Sequence, residues 1–185
     1  NKLPFSEDDH AIMPISPYAV TKKAGELMCF TYHHLYDMAI TCLRFFTVYG
    51  ERGRPDMAVA KFTRLMHENK EIEVYGNGAQ KRDFTYISDI IRGALASLER
   101  TTGYEVINLG GQETTEVRTL ISIIEENLGK KAAIRYLPKA EGDMPITYAD
   151  VSKAKRMLDY APEVRIREGV GRYVKWFLEM EMKKA

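Results

Sequence analysis

The sequence predicts an α/β fold. Helix-patterned stretches alternate with short β-branched and aromatic runs along the whole chain, the apolar runs close on glycine or turn residues, and the connections between them are short. Neither a run of strands alone nor a helical bundle produces that order.

Residues 1–15, with Pro4, Pro14 and the acidic cluster Glu7-Asp8-Asp9, read as an irregular loop. Ser16-Pro17 then combines an N-cap with a first-turn proline. Residues 18–37 form a helix with apolar side chains on nearly all sides, as Leu27, Met28, Cys29, Phe30 and Leu35 show, so burial between two neighbours is expected. Residues 40–49 read as one central strand that ends at Gly50. A second helix is expected over 56–68, then a short strand over 72–75 and a turn at Gly76-Asn77-Gly78. Residues 84–87 are extended and lead into a helix over 88–99, for which Ser88 is the natural cap. A strand over 105–109 ends at Gly110-Gly111. An amphipathic helix over 115–128 is closed by Gly129. A strand over 133–137 and helices over 150–158 and 166–182 complete the chain, the last helix carrying Val170, Val174, Trp176, Phe177 and Met180. There is no internal repeat and no low-complexity segment.

The bulk numbers narrow the classes. With 185 residues, 45% hydrophobic and 29% charged, the chain suits one globular domain or a large piece of a bigger one. Its 27 basic and 26 acidic residues leave a formal charge of +1, so no global field argues for nucleic acid or an anionic membrane. Cys29 and Cys42 lie in no CxxC or Cys/His cluster and read as buried free thiols. No signal-peptide pattern occurs, and no apolar run approaches the roughly 20 residues of a membrane span. A soluble, cytoplasmic protein is expected. His33 and His34 lie mid-helix, while His10 and His67 lack partners at metal spacing, so no metal site is expected.

Four clusters carry chemistry. In Ser16-Pro17-Tyr18-Ala19-Val20-Thr21-Lys22 a tyrosine precedes a lysine by one helical turn, which sets both on one face. A phenol has a reference pKa of about 10, and a neighbouring ammonium favours its phenolate, so the pair suits removal of a hydroxyl proton. The plain alternative is a packed tyrosine ring with Lys22 reaching solvent. In 43–57, Thr47 and a glycine-bracketed loop should lie beyond the carboxyl end of a strand, where open α/β sheets bind ligands. Arg52 and Arg54 there are candidates for an anionic substrate, or simply surface arginines on a turn. In 74–85, Gly76 and Gly78 would let backbone approach a ligand, Tyr75 could pack on a flat base and Arg82 could neutralise a diphosphate; a hairpin with a charged tip is the alternative. In Glu141-Gly142-Asp143-Met144-Pro145 a turn could aim a carboxylate at sugar hydroxyls.

Taken together these motifs resemble the extended short-chain dehydrogenase/reductase group of nucleotide-sugar epimerases and dehydratases. The likeness runs from Asn1-Lys2-Leu3-Pro4-Phe5-Ser6-Glu7 through Ser16-Pro17-Tyr18 and Arg82-Asp83-Phe84 to residues 148–154. The runs 45–50 and 53–58 are most similar to the UDP-glucuronate 4-epimerase subgroup, in which Thr47 replaces the asparagine usual in galactose epimerases. The resemblance implies NAD as cofactor and a UDP-sugar as substrate. It implies that Tyr18 takes the C4 hydroxyl proton, and that Lys22 lowers the tyrosine pKa and holds the nicotinamide ribose. Phe45 and Phe46 would lie near the nicotinamide, Thr47 and Arg54 would address the sugar carboxylate, Tyr75 the uracil, Arg82 the diphosphate and Asp143 the uridine ribose. It further implies a homodimer formed through the Tyr18 helix and a neighbour.

The expected architecture is the carboxyl-terminal part of a Rossmann-like doubly wound sheet plus a smaller α/β substrate domain. Residues 1–50 would belong to the NAD-binding domain, and residues 51–185 mainly to the UDP-sugar domain with some segments returning to the first. Two departures stand out. Ala140 occupies a position where relatives carry arginine or glutamine, which shifts part of the diphosphate grip to Lys139. No glycine-rich dinucleotide fingerprint occurs anywhere. The chain is therefore expected to be the carboxyl-terminal portion of such an enzyme, with apolar surface left open. A 4,6-dehydratase, a 4-epimerase of a neutral sugar, and an inert substrate-binding or dimerisation fragment are the alternatives.

Overall fold

The structure, a computed structural model, describes residues 2–9, 13–14, 16–139 and 144–183. The first helix, α1 (Pro17–Tyr36), starts as its residues require: the Ser16 hydroxyl accepts a hydrogen bond from the Ala19 amide at 3.2 Å, and Pro17 opens the first turn. It ends at Asp37, which takes a left-handed conformation with φ 53°. The expectation that two neighbours bury this helix is not met. None of its residues is buried, and Leu27, Met28 and Leu35 stand exposed. One face of α1 lies on the strand pair described next, and no described element covers the rest.

The strand expected over 40–49 is two strands. β1 (Ile40–Phe45) runs parallel to β6 (Tyr104–Leu109), from Ile40 opposite Tyr104 to Phe45 opposite Leu109. β2 (Thr47–Tyr49) runs parallel to β5 (Phe84–Tyr86). The switch is made between consecutive amides: Phe46 donates to the Leu109 carbonyl at 3.3 Å, and Thr47 donates to the Asp83 carbonyl at 3.0 Å. The chain thus leaves one sheet and enters another at Phe46, which places the carboxyl end of β1 beside the start of β2.

α2 (Ala58–His67) leads to β3 (Ile72–Tyr75), which pairs in parallel with β8 (Ile134–Leu137). The turn at residues 76–78 is not a hairpin. β4 (Lys81–Arg82) pairs instead with β7 (Thr115–Glu116), in antiparallel register. α3 (Ile87–Arg100) begins one residue before Ser88, with Tyr86 at the cap position and no side-chain cap bond, so Ser88 is not its cap. α4 (Val117–Leu128) closes on Gly129 at φ 65°, the left-handed position that glycine occupies without a Cβ penalty. Residues 115 and 116, expected in this helix, form β7 instead. α5 (Ser152–Leu158) and α6 (Ile166–Met182) follow.

The apolar side chains gather into two cores. The larger joins β2, β3, β5, α2, α4 and α6 through Met66, Val74, Leu120, Ile124, Val170 and Phe177. The smaller sets Ile90 of α3 and Ala154 and Leu158 of α5 against Ile107 and Leu109 of β6. Full burial of each such aliphatic side chain contributes about 1.5–3 kcal/mol. Cys29 and Cys42 are free, as expected, but only partly buried, because α1 has a single covered face.

Candidate active site

Tyr18 and Lys22 stand on the first turns of α1, with the Lys22 ammonium 5.2 Å from the centre of the Tyr18 ring. Tyr18 is 70% exposed. The pair opens on a cavity of about 570 Å³ whose walls include Glu26, Arg44 and Phe45. A neighbouring cavity of about 630 Å³ is lined by Lys2, Ser6, Phe46, Thr47, Asn108 and Thr147. Arg44 and Phe45 line both, so the two cavities adjoin at the carboxyl end of β1. Tyr18, Lys22, Phe45, Phe46 and Thr47 are thus brought to one cleft by the strand switch at Phe46.

Arg54 lies outside both linings but within electrostatic reach of the Tyr18 phenol. Its guanidinium grips the Asp56 carboxylate with two hydrogen bonds, of 3.1 and 2.5 Å. That pairing holds the Asp56 carboxyl below its usual range. Tyr75, 45% exposed at the end of β3, and Arg82 on β4 lie in neither cavity. The carbonyl of Tyr75 accepts from the Gln80 side-chain amide at 2.9 Å, and Arg82 donates to the Lys81 carbonyl at 2.8 Å. Asp143 and Ala140 lie outside the described residues. Arg52 takes a left-handed conformation, φ 59°, in the loop between Gly50 and Arg54.

Several supporting residues were given no role by the sequence. Asp83 is fully buried and accepts hydrogen bonds from the Gly111 amide at 2.6 Å, the Thr85 hydroxyl at 3.1 Å and the Ala149 amide at 3.1 Å. Burial raises its carboxyl above the ordinary value despite those donors. Next to it, Gly110 is forced: a Cβ there would lie 2.4 Å from that of Ala149. Asn108 donates from its side chain to the Phe5 carbonyl at 2.9 Å and to the Asp150 carbonyl at 3.2 Å, while its amide donates to Glu7 at 2.7 Å. This fastens the amino-terminal loop over the cleft floor. Glu26 and Arg44 form a two-bond ion pair from α1 to β1. Asp83 and Arg44 lie in runs the sequence singles out, and Glu26 has a signal of its own, since it follows Lys22 by one helical turn and Tyr18 by two. Cys42 is no candidate nucleophile, because burial and the neighbouring Cys29 push its thiol up to about 11. Among the described residues no group of His, Cys, Asp or Glu could hold a metal ion.

A parallel strand pair with helices packed on it, and a Tyr–Lys pair one turn apart beside the strand's carboxyl end, are the arrangement of an α/β protein that the resemblance to short-chain dehydrogenases/reductases implies. The NAD dependent epimerase/dehydratase family matches residues 1–110, and the chain belongs to that family. It is 49% identical over 177 residues to a UDP-glucuronate 4-epimerase of Thermodesulfobacterium geofontis, covering 95% of this chain and 54% of that protein. An uncharacterized protein of Methanocaldococcus jannaschii is 51% identical, with 96% of this chain and 55% of that one covered. A crystal structure of the UDP-glucuronic acid 4-epimerase of Bacillus cereus, in complex with UDP-glucuronic acid and NAD, superposes with a TM-score of 0.91 at 41% identity, covering 97% of this chain and 58% of that one. The chain spans about half the length of the curated relatives it matches.

Proposed function

We propose that the full-length protein carrying this chain inverts C4 of a UDP-hexuronic acid, interconverting UDP-glucuronate and UDP-galacturonate with NAD as cofactor. The observation that carries the reading is the cleft itself, with Tyr18 and Lys22 at one end, Phe45 in its middle and Thr47 beyond. The relatives named above, of the same fold and about 40–50% identity, support the sugar.

The residues present fit the nicotinamide end of NAD. Phe45 is 52% exposed where the two cavities meet, an apolar ring open to a flat ligand, and Lys22 lines the same cavity as a donor for ribose hydroxyls. Tyr18, Lys22, Phe45 and Phe46 would hold that end. When bound, NAD supplies the hydride acceptor and donor that inversion at C4 requires.

The chain's own groups do the rest. Tyr18 takes the proton from the C4 hydroxyl oxygen and returns it to that oxygen when the configuration is reversed. The Lys22 ammonium stabilises the phenolate in between. Thr47 and Arg54 orient the sugar carboxylate, which the guanidinium can meet with two parallel hydrogen bonds as it now meets Asp56. Tyr75 packs on the uracil, Arg82 neutralises the diphosphate and Asp143 takes the uridine ribose. Asp83 and Asn108 keep the floor of the cleft in register.

Within this reading, residues 1–50 belong with the NAD-binding part. Residues 51–185 form mainly the UDP-sugar part, and the segments of the smaller core on α3, β6 and α5 return to the first. The protein is read as a cytoplasmic homodimer: the free thiols fit a reducing compartment, and the uncovered apolar face of α1 fits a second copy. The test is Tyr18→Phe in the full-length protein. Removal of a general base should lower kcat by about 10²–10⁴-fold while circular dichroism stays unchanged. Retained turnover would remove Tyr18 from the mechanism.

A further inference from the structure

We propose that the Glu26–Arg44 pair is the device that sets how Tyr18 and Lys22 face the cleft, with Glu26 and Arg44 as positioning residues. The inference rests on the reading of Tyr18 as the base. Residues 18, 22 and 26 are spaced four apart, so their side chains form one row along α1. At the end of that row the Arg44 guanidinium donates from Nε to one Glu26 oxygen at 2.6 Å and from Nη2 to the other at 2.9 Å. A planar fork on a carboxylate fixes orientation as well as distance. The two side chains are only 14% and 28% exposed, so water competes little for them. Each partner shifts the other's titration in the expected direction, Glu26 down and Arg44 up.

Among the described residues, the side-chain bonds that tie α1 to the strands begin at Glu26. α1 has no fully buried residue and rests on β1 and β6 through half-buried side chains, so the Glu26–Arg44 fork is its strongest directional tie to the strands. Along α1, Glu26 is the first described residue whose side chain bonds another element. Among the described residues Lys23 bonds to Glu26 itself, at 3.1 Å. The remaining ties lie at Glu26 or beyond: the Tyr104 hydroxyl donates to the Glu26 carbonyl at 3.0 Å, and the Tyr104 ring packs on Phe30 and His33. The two turns that carry Tyr18 and Lys22 therefore project from an anchor at Glu26.

The lever is short and sensitive. A side-chain tip lies about 6 Å from a helix axis, so a roll of about 10° moves it by about 1 Å. A displacement of that size at a reacting group costs about 10²-fold in rate. Arg44 also lines both cavities, so the residue that grips α1 belongs to the wall where Phe45 and Thr47 stand. A lysine cannot replace that fork.

The experiment uses the full-length protein with UDP-glucuronate and NAD. Glu26→Gln and Arg44→Lys should each lower kcat by about 10²-fold with KM within about twofold of the parent, because substrate contacts remain while the base is displaced. The double variant should lose no more than the worse single one, since both break the same device. Circular dichroism and melting of each variant establish that the loss is not a loss of folded protein; if Glu26→Gln fails to fold, Arg44→Lys carries the test. Parent-like kcat in folded variants, losses that multiply in the double variant, or a rise in KM alone would overturn the proposal. Tyr18→Phe is assayed alongside. If it is inactive while Glu26→Gln and Arg44→Lys are parent-like, the positioning proposal alone fails, and if it is active the reading beneath fails.

Discussion

Replacement of Asp83 by alanine should unsettle the floor of the cleft more than any other single truncation there. Its two carboxylate oxygens accept from the Gly111 amide at 2.6 Å, the Ala149 amide at 3.1 Å and the Thr85 hydroxyl at 3.1 Å, and the residue is fully buried. Each buried amide left without an acceptor costs about 1–3 kcal/mol, and the lost hydroxyl bond about 1 kcal/mol more. Removing a carboxylate whose desolvation raises its pKa returns part of that, which leaves a net loss of about 2–4 kcal/mol. Against a domain stability of about 5–15 kcal/mol this is readily measured. Urea denaturation followed by circular dichroism should show a lower midpoint at an unchanged slope. Asp83→Asn keeps one acceptor but turns an NH₂ toward a backbone donor, so it should fall between. The folded-state pKa of Asp83 is raised above 3.8, so the native state holds this proton more tightly than the unfolded one. Its titration therefore lowers stability as pH rises from 3.8 through the folded value, and Asn should remove that slope. A loss below about 1 kcal/mol for the alanine variant would refute the account of Asp83 as the buried tie.

Four further outcomes are expected. Glu26 titrates with the opposite sign: Arg44 holds its folded-state pKa below 4.5, so its stabilising effect is complete above the unfolded value and is lost as pH falls through the folded one. Acid unfolding of Glu26→Gln should accordingly show a shallower dependence on pH in that window. Asp56→Asn frees the Arg54 guanidinium from an exposed pair worth about 0–1 kcal/mol, so KM for UDP-glucuronate should fall by up to about fivefold in steady-state assays while that for UDP-glucose is unchanged. Gly110→Ala would press a Cβ to 2.4 Å from that of Ala149 and should cost about 1–3 kcal/mol by thermal melting. Leu27→Glu puts a charge on the exposed apolar face of α1; on the proposed homodimer reading, sedimentation velocity of the full-length protein should give a dimer for the parent and a monomer for the variant.

Periodicity and caps made most of the fold legible. Ser16-Pro17 opens α1, Gly129 closes α4 and residues 166–182 form α6, because caps and a helical apolar stripe are local signals. What escaped depends on partners distant in the chain. The run 40–49 has uniform β propensity, yet consecutive amides at Phe46 and Thr47 bond to Leu109 and Asp83, so one apparent strand serves two sheets. The same holds for β4 and β7, two residues each and defined only by each other. At the site, the Tyr18–Lys22 pair, Thr47 and the phenylalanines were legible because they belong to short motifs, and the fold brings them to one cleft. Asp83 and Arg44 lie in runs the sequence singles out, but their roles as a buried acceptor and as the partner of Glu26 were not legible, nor was Asn108, since such groups look like surface residues until burial and bonding partners are known. The helix 17–36 misled in a different way: apolar residues on all sides signal burial, but not by which chain, and here its outer face is uncovered.

Proton NMR of UDP-glucuronate incubated with the full-length protein and NAD tests the central claim most directly. The account predicts the appearance of UDP-galacturonate, with the resonances of C4 and its neighbours changed and the carboxylate retained. An unaltered spectrum, a 4-keto-6-deoxy product from a neutral UDP-sugar in its place, or inversion that persists in Tyr18→Phe would contradict it.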